Sequence, residues 1–169
     1  MEKLLSNEIY NFISRKEKDF IIAFDNAMIA NGYANNGIQP YVVFGKYKIE
    51  YYNPAVKTKK YIARIYLRDE GAVLRLYFSN IDKHRDYIEN AADFIKKPFI
   101  DDSHKCNSPN CKGMITNGKC RYMKKYILFD AHYVKCAEQS FMFYAMEAAN
   151  ASSYVELLTT FYPIKKRTV

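Results

Sequence analysis

YIARIYLRDEGAVLRLYF, running from Tyr61 to Phe78, is the stretch that decides the fold. Two runs rich in β-branched and aromatic residues, Tyr61–Leu67 and Ala72–Phe78, flank the turn formers Asp69, Glu70 and Gly71. That pattern predicts an antiparallel hairpin. Successive side chains point to opposite faces of a strand. Ala63, Ile65 and Leu67 therefore share one face, matched by Leu74, Leu76 and Phe78, while Arg64, Tyr66, Arg68, Arg75 and Tyr77 share the other.

Upstream of the hairpin, Tyr41–Phe44 and Tyr47–Tyr52 read as two further strands on either side of Gly45, which marks a bulge or tight turn. Asn36-Gly37 and Pro40 signal a loop before them. Earlier still the period changes to that of helices. Leu5, Ile9, Phe12 and Ile13 make one stripe, and Phe20, Ile21, Phe24 and Met28 a second. Ser14-Arg15-Lys16-Glu17 has the spacing of a capping box, and Gly32 supplies a left-handed stop.

Downstream, Ile81, His84, Ile88, Ala91 and Ile95 step by three and four, which predicts a third helix from Ser79-Asn80 toward Lys96, ended by Pro98. Residues 101–118 are rich in turn formers and read as loop. Tyr122–Phe129 and Tyr133-Val134 read as strands, as does Phe141–Tyr144. Ser153-Tyr154-Val155-Glu156 repeats the capping-box spacing ahead of Leu157, Leu158 and Phe161, and Pro163 stops that last helix. The expected class is α+β: a mainly antiparallel sheet packed by helices on one face. Residues 1–100 form the helix–sheet part, and 101–169 a cysteine-containing annex with strands and a closing helix.

Composition narrows the function classes. The chain has 169 residues, 49% hydrophobic and 26% charged, long enough to bury a core without a staple. It carries 16 Tyr and 11 Phe but no Trp, and a formal net charge of +8, which favours acidic partners. Charge interrupts the first residues before any apolar run, and no stretch of about eighteen apolar residues occurs. A cytoplasmic protein without a membrane span is expected.

All four cysteines, Cys106, Cys111, Cys120 and Cys136, fall in one segment, with His104 and His132 beside them. Cys106 and Cys111 are separated by four residues, within the gap of zinc-binding knuckles, and Asn107, Pro109 and Gly113 supply turn chemistry. Lys105, Lys112, Lys119, Arg121 and Lys135 flank the sulfurs and favour the thiolate form. The leading expectation is a structural zinc ion held by the four cysteines, with His104 or His132 as alternates. Buried reduced thiols, disulfides and a low-pKa redox or nucleophilic cysteine stay open. No Cys-x-x-Cys pair exists, and His132 and Cys136 in one strand would stand about 13 Å apart, too far for a catalytic pair.

The second candidate site is the face bearing Arg64, Tyr66, Arg68, Arg75 and Tyr77, extended by Lys48 and Tyr52. Arginines interleaved with aromatic rings on a sheet suit single-stranded nucleic acid, the guanidinium groups on phosphates and Tyr66 and Tyr77 stacked on bases. The competing accounts are a solvated face with tyrosines lying along arginine stems, or one covered by the C-terminal half. No Gly-rich phosphate loop, nucleophile elbow or paired-His helix is present, which argues against an enzyme.

In its order of parts the chain resembles a group of small uncharacterised bacterial proteins. Leu74-Arg75-Leu76-Tyr77, Cys106 with Cys111, and Tyr133-Val134-Lys135-Cys136 ahead of Phe141-Met142-Phe143 carry the resemblance. It implies an α+β fold and clustered thiols, and no activity. Ser140 stands where that pattern has a further cysteine, and Cys120 is additional. The expected function is a zinc-stabilised, non-enzymatic binding protein for an anionic ligand or nucleic acid. A thiol-using enzyme and a protein-interaction module are the alternatives.

Overall fold

The computed structural model describes residues 1–57, 60–101, 115–116, 119–120, 122–136 and 141–164. The chain runs through α1 (Glu2–Leu5), α2 (Arg15–Ala30), β1 (Ala34–Pro40), β2 (Tyr47–Tyr52), β3 (Tyr61–Leu67) and β4 (Val73–Leu76). It continues through α3 (Arg85–Asn90), α4 (Asp93–Ile100), β5 (Ile115–Thr116), β6 (Lys119–Cys120), β7 (Met123–Leu128), β8 (Ala131–Cys136), β9 (Met142–Phe143) and α5 (Ala151–Phe161). Two units result: Met1–Tyr77 together with the chain from Phe143 onward, and Phe78–Met142.

That first unit is α+β. Its sheet has the order β1-β2-β3-β4-β9, and β1 to β4 are antiparallel throughout. The expected hairpin registers as Ala63↔Leu76 and Ile65↔Leu74. Ile49, Tyr51, Ala63, Ile65, Leu67, Leu74 and Leu76 are all buried, so one sheet face is continuously apolar. Phe24 of α2 meets Tyr51 edge-on at 5.2 Å, which sets that helix against this face. Tyr154 of α5 packs edge-on against Phe20 of α2 and against Phe143. Fully burying each such ring contributes roughly 1.5–3 kcal/mol.

Local signals explain where α2 starts and stops. Ser14 caps it in a complete capping box with Glu17. At the other end Gly32 takes φ +86°, its N–H donates to the Ile29 carbonyl, and the Tyr33 N–H donates to the Met28 carbonyl, a full Schellman stop. Glu17 does more than cap. Its second carboxylate oxygen accepts from the Ala72 N–H at 2.5 Å, tying the start of α2 to the β3–β4 turn.

Besides the first helical stripe, which breaks into α1 and a 3-10 turn at Glu8–Tyr10 and leaves Ile9 54% exposed, two expectations fail in this unit. Ala34–Pro40, read as loop, is the edge strand β1, while Tyr41–Phe44, read as strand, lies outside the sheet. A register irregularity between Asn35 and Ile38 and a φ of +71° at Gly37 absorb the turn-forming residues. Asn35 is fixed by donating to Asp25 at 2.7 Å. The second failure is the Ser153 capping box. Helix α5 begins two residues earlier, behind a short 3-10 turn at Ala148–Asn150, so Ser153 sits inside it.

In the second unit the single helix expected over 79–96 is broken. A 3-10 turn (Ile81–His84) leads into α3, and α4 follows after Ala91 and Ala92 adopt extended ψ values of 166° and 152°. Pro98 lies within α4 instead of ending it. Strands β7 and β8 form an antiparallel hairpin whose turn residues Phe129 and Asp130 have φ 49° and 58°, the signature of a type I′ turn. Asp82 accepts from the Ile127 N–H at 2.8 Å, which secures the hairpin to the 3-10 turn. Phe78, Phe99, Tyr126 and Phe141 form the aromatic core of this unit, and the Tyr126 hydroxyl donates to the Phe99 carbonyl at 2.7 Å. Among the described residues no helix is long and apolar enough to cross a membrane.

Candidate functional site

Alternation along three adjacent strands builds one polar cluster. Register pairs Glu50 of β2 with Arg64 of β3, and Arg64 with Arg75 of β4. One step along, Lys48 pairs with Tyr66. These residues, with Tyr77, therefore share the sheet face opposite the apolar core. Of Arg64, Tyr66, Arg68, Arg75 and Tyr77, which alternation assigns to one face, the structure brings Arg64, Tyr66, Arg75 and Tyr77 together and gives Arg68 other partners.

Glu50 is the member that reading missed. Its carboxylate is 3% exposed and takes ion pairs from Lys48, at 3.0 Å, and from Arg64. The signal was present, since Lys48 and Glu50 alternate in phase with Arg64. Arg64 Nη1 donates to the Tyr66 hydroxyl at 3.2 Å, and Arg75 Nη1 approaches the same oxygen at 3.5 Å. Rings surround the guanidinium groups: Arg64 lies over Tyr61, Tyr66 and Tyr77, and Arg75 over Tyr77 at 4.6 Å. Arg64 Nε has no hydrogen-bond partner among the described residues.

Electrostatics in this cluster oppose burial. Burial disfavours the Arg64 charge, yet hydrogen bonding to Tyr66 and the nearby Tyr77 and Glu50 outweigh it, so the guanidinium holds its proton more tightly than usual. Burial alone would raise the Tyr66 phenol. Hydrogen bonds involving Arg64, Tyr77 and Arg75, together with the Arg64 charge, reverse that and bring it below the ordinary tyrosine value. Tyr77 moves the opposite way, raised chiefly by burial.

Tyr66 is 1% exposed. Tyr41 lies over its ring at 5.7 Å and Phe44 meets it edge-on at 4.9 Å. The segment read as a strand is thus a cover on the basic face, and the Tyr66 ring offers no open surface to a base. Lys48 Nζ sits 4.7 Å above the Tyr41 ring. Between the two covering rings Val42 and Val43 project outward, 93% and 79% exposed. The loop closes through Tyr41 N–H to the Lys46 carbonyl and Lys46 N–H to the Leu67 carbonyl. Gly45 is required there. Its φ is +139°, and a Cβ would stand 2.8 Å from the Leu67 carbonyl oxygen and from Arg68 Cγ.

Arg68, one residue past β3, has a separate set of partners. It pairs with Glu70 at 3.1 Å and stacks on Phe44 at 4.7 Å. With Lys46 and Asp69, themselves paired at 2.6 Å, it lines a groove of about 390 Å³. The groove's two cations are matched by two carboxylates. In the Arg64 cluster Lys48 and Arg64 share the Glu50 carboxylate, and Arg75 stands opposite Arg64.

Of the proposed metal ligands, Cys106, Cys111 and His104 lie outside the described residues. Cys120 and Cys136 carry free thiols and are half-buried. Register sets Cys136 opposite Met123 at the open end of the β7–β8 hairpin, and Cys120 of β6 lies three residues before Met123 in the chain. Buried Lys135 extends to the same region, donating to the Asp101 carbonyl and, at 2.7 Å, to its carboxylate. His132 is exposed at the turn end, four residues from Cys136 in one continuous strand and hence about 13 Å away, so the two do not share an ion. Among the described residues no three His, Cys, Asp or Glu side chains gather into a metal-binding group.

Comparisons with family models, with curated proteins and with solved structures return no match to this chain.

Proposed function

We propose that this chain is a non-enzymatic binding protein for an anionic ligand, whose phosphate, sulfate or carboxylate group is held by Arg64 and Arg75 with help from Lys48. The observation that carries this reading is the direct cross-strand pairing of Arg64 with Arg75. Like charges placed opposite one another destabilise a sheet, and the Glu50 carboxylate is shared between Lys48 and Arg64. A ligand anion settling between the two guanidinium groups would offset that repulsion. Access is supported by the Lys48 and Arg64 side chains, which remain 18% and 19% exposed. Nucleic acid fits this site through its phosphates, since Tyr66 is covered.

Isothermal titration with inorganic sulfate and with a single-stranded oligonucleotide tests the reading. Affinity should fall steeply with added chloride and be lost in Arg64→Ala and Arg75→Ala. Binding that ignores salt and survives both substitutions would refute it. Sulfate binding without oligonucleotide binding would assign a small anion instead of nucleic acid.

For the second unit we propose a structural zinc ion on Cys106, Cys111, Cys120 and Cys136, which would cross-link the open end of the hairpin. The free thiols of Cys120 and Cys136, and the place of Cys136 at that end, support it. Free thiols also suit the cytoplasm, a reducing compartment. Elemental analysis should find about one zinc per chain, lost in Cys136→Ser. Metal-free protein with unchanged thermal stability would end the proposal.

A further inference from the structure

Val42 and Val43, at the tip of the covering loop, have almost nothing against them: they are 93% and 79% exposed. They are held outward. Tyr41 and Phe44, on either side, pack on the Tyr66 ring, and the loop is closed at its base by the backbone bonds from Tyr41 to Lys46 and from Lys46 to Leu67. An isolated exposed apolar side chain is ordinary, whereas an adjacent β-branched pair fixed on a pinned loop marks a contact surface. Side chains this exposed form a projection, not a groove, and a projection suits a fluid phase that closes round it.

The base of the loop indicates which phase. Lys48 Nζ lies 4.7 Å over Tyr41, Arg68 4.7 Å over Phe44, and Lys46 Nζ 4.7 Å over Phe12. Apolar side chains beyond a level of rings and cations reproduce the layering of a bilayer surface, where rings and cationic heads sit among the phosphates. Asp69 and Glu70 share that level as partners of Lys46 and Arg68, with side chains 59% and 73% exposed. Such surface pairs contribute little, so a lipid phosphate can compete for the two cations.

We infer that Val42 and Val43 insert among the acyl chains of an anionic bilayer, while a lipid phosphate is taken by the basic face beneath them. The inference rests on the anion-binding reading and names its ligand as a phospholipid headgroup. The contact is peripheral, made by two side chains and the cations behind them.

Vesicles of phosphatidylcholine, alone or mixed with phosphatidylserine, are the probe, with binding read by co-sedimentation. Inorganic sulfate, measured by titration, stands for a free anion. The chain has no tryptophan, so Val42→Trp puts a single indole at the tip. The double variant Val42→Thr/Val43→Thr keeps the shape of the tip and makes it polar. Wild type should prefer the phosphatidylserine vesicles, more weakly as salt rises. The double variant should lose about tenfold or more in vesicle affinity and none in sulfate affinity. The introduced indole should shift to the blue on these vesicles and be quenched by lipids brominated on the acyl chain. Equal vesicle binding by wild type and the double variant, an unshifted indole, or equal binding to phosphatidylcholine alone overturns the inference and leaves the anion site standing. So does sulfate binding without vesicle binding. A blue shift that follows protein concentration without lipid overturns it in favour of a second copy of the chain. Failure to bind either sulfate or vesicles overturns the anion reading, and the inference with it.

Discussion

Replacing Glu50 by Ala removes the buried carboxylate that pairs with Lys48 and Arg64. The carboxylate is 3% exposed and ion-paired to Arg64 and, at 3.0 Å, to Lys48. At an effective dielectric near 20, a pair about 4 Å apart contributes roughly 4 kcal/mol of Coulomb energy. Relief of the Glu50 desolvation cost and residual solvent contact at both cations reduce the loss, which should come to about 3 kcal/mol. For a chain of this length that lowers Tm by about 6–12 °C. Glu50→Gln keeps the volume and isolates the charge. The assay is thermal unfolding in sulfate and in chloride at matched ionic strength. Sulfate strengthens all burial to some degree, so the informative quantity is the gain of Glu50→Ala in excess of the wild-type gain. A free anion at a hundredfold its Kd restores about 2.7 kcal/mol, most of the deficit. A loss under about 1 kcal/mol, or equal gains in variant and wild type, would refute the claim that Glu50 is the counter-charge of Lys48 and Arg64.

Three further outcomes are expected. Gly45→Ala should cost about 1–3 kcal/mol in urea unfolding, since its backbone is left-handed and a Cβ meets the Leu67 carbonyl; a neutral substitution would show the covering loop to be free to shift. Glu17→Gln should lose about 1–3 kcal/mol at pH 7, because the carboxylate bonds Ser14 and the Ala72 N–H. Burial would raise the Glu17 carboxyl, but those bonds lower it overall, so its contribution is full above the ordinary carboxylate range and fades as pH falls through the lower folded value. A gap between the two proteins that widens in acid would contradict that sign. Lys135→Met leaves Asp101 without its ammonium partner and should speed hydrogen exchange in β7 and β8 while sparing β2 and β3; uniform acceleration across the chain would dismiss a local role.

The hairpin at the centre of the sheet was legible because period-two alternation is strict there. Ile65 and Leu74 point inward, Arg64 and Arg75 outward, and register follows from the pleat. Ser14 and Gly32 were equally readable, since capping box and left-handed stop are local chemistry. Strand β1 was hidden by its own composition. Asn35, Gly37 and Pro40 look like a loop until Asp25, ten residues away, satisfies Asn35 and a bulge takes up Gly37. The same error concealed the cover over Tyr66, because β-branched Val42 and Val43 suggest a strand although both face water. Ser153 misled in the opposite sense: its spacing to Glu156 is correct, but the helix had already begun at Ala151. At the candidate site the sequence grouped the cations, while the convergence of Arg64 and Arg75 on one phenol oxygen depends on side-chain geometry that no pattern encodes.

The first unit is assembled from two pieces of chain separated by the whole of the second, and that order has a consequence during synthesis. When Tyr77 leaves the ribosome, α2 and strands β1 to β4 exist, but Phe20 still lacks Tyr154 and the flank of α2 has no α5 to lie against. At about 5–20 residues per second, the stretch from Tyr77 to Phe161 takes roughly 4–17 s to emerge. For those seconds the nascent chain presents an unfinished apolar flank.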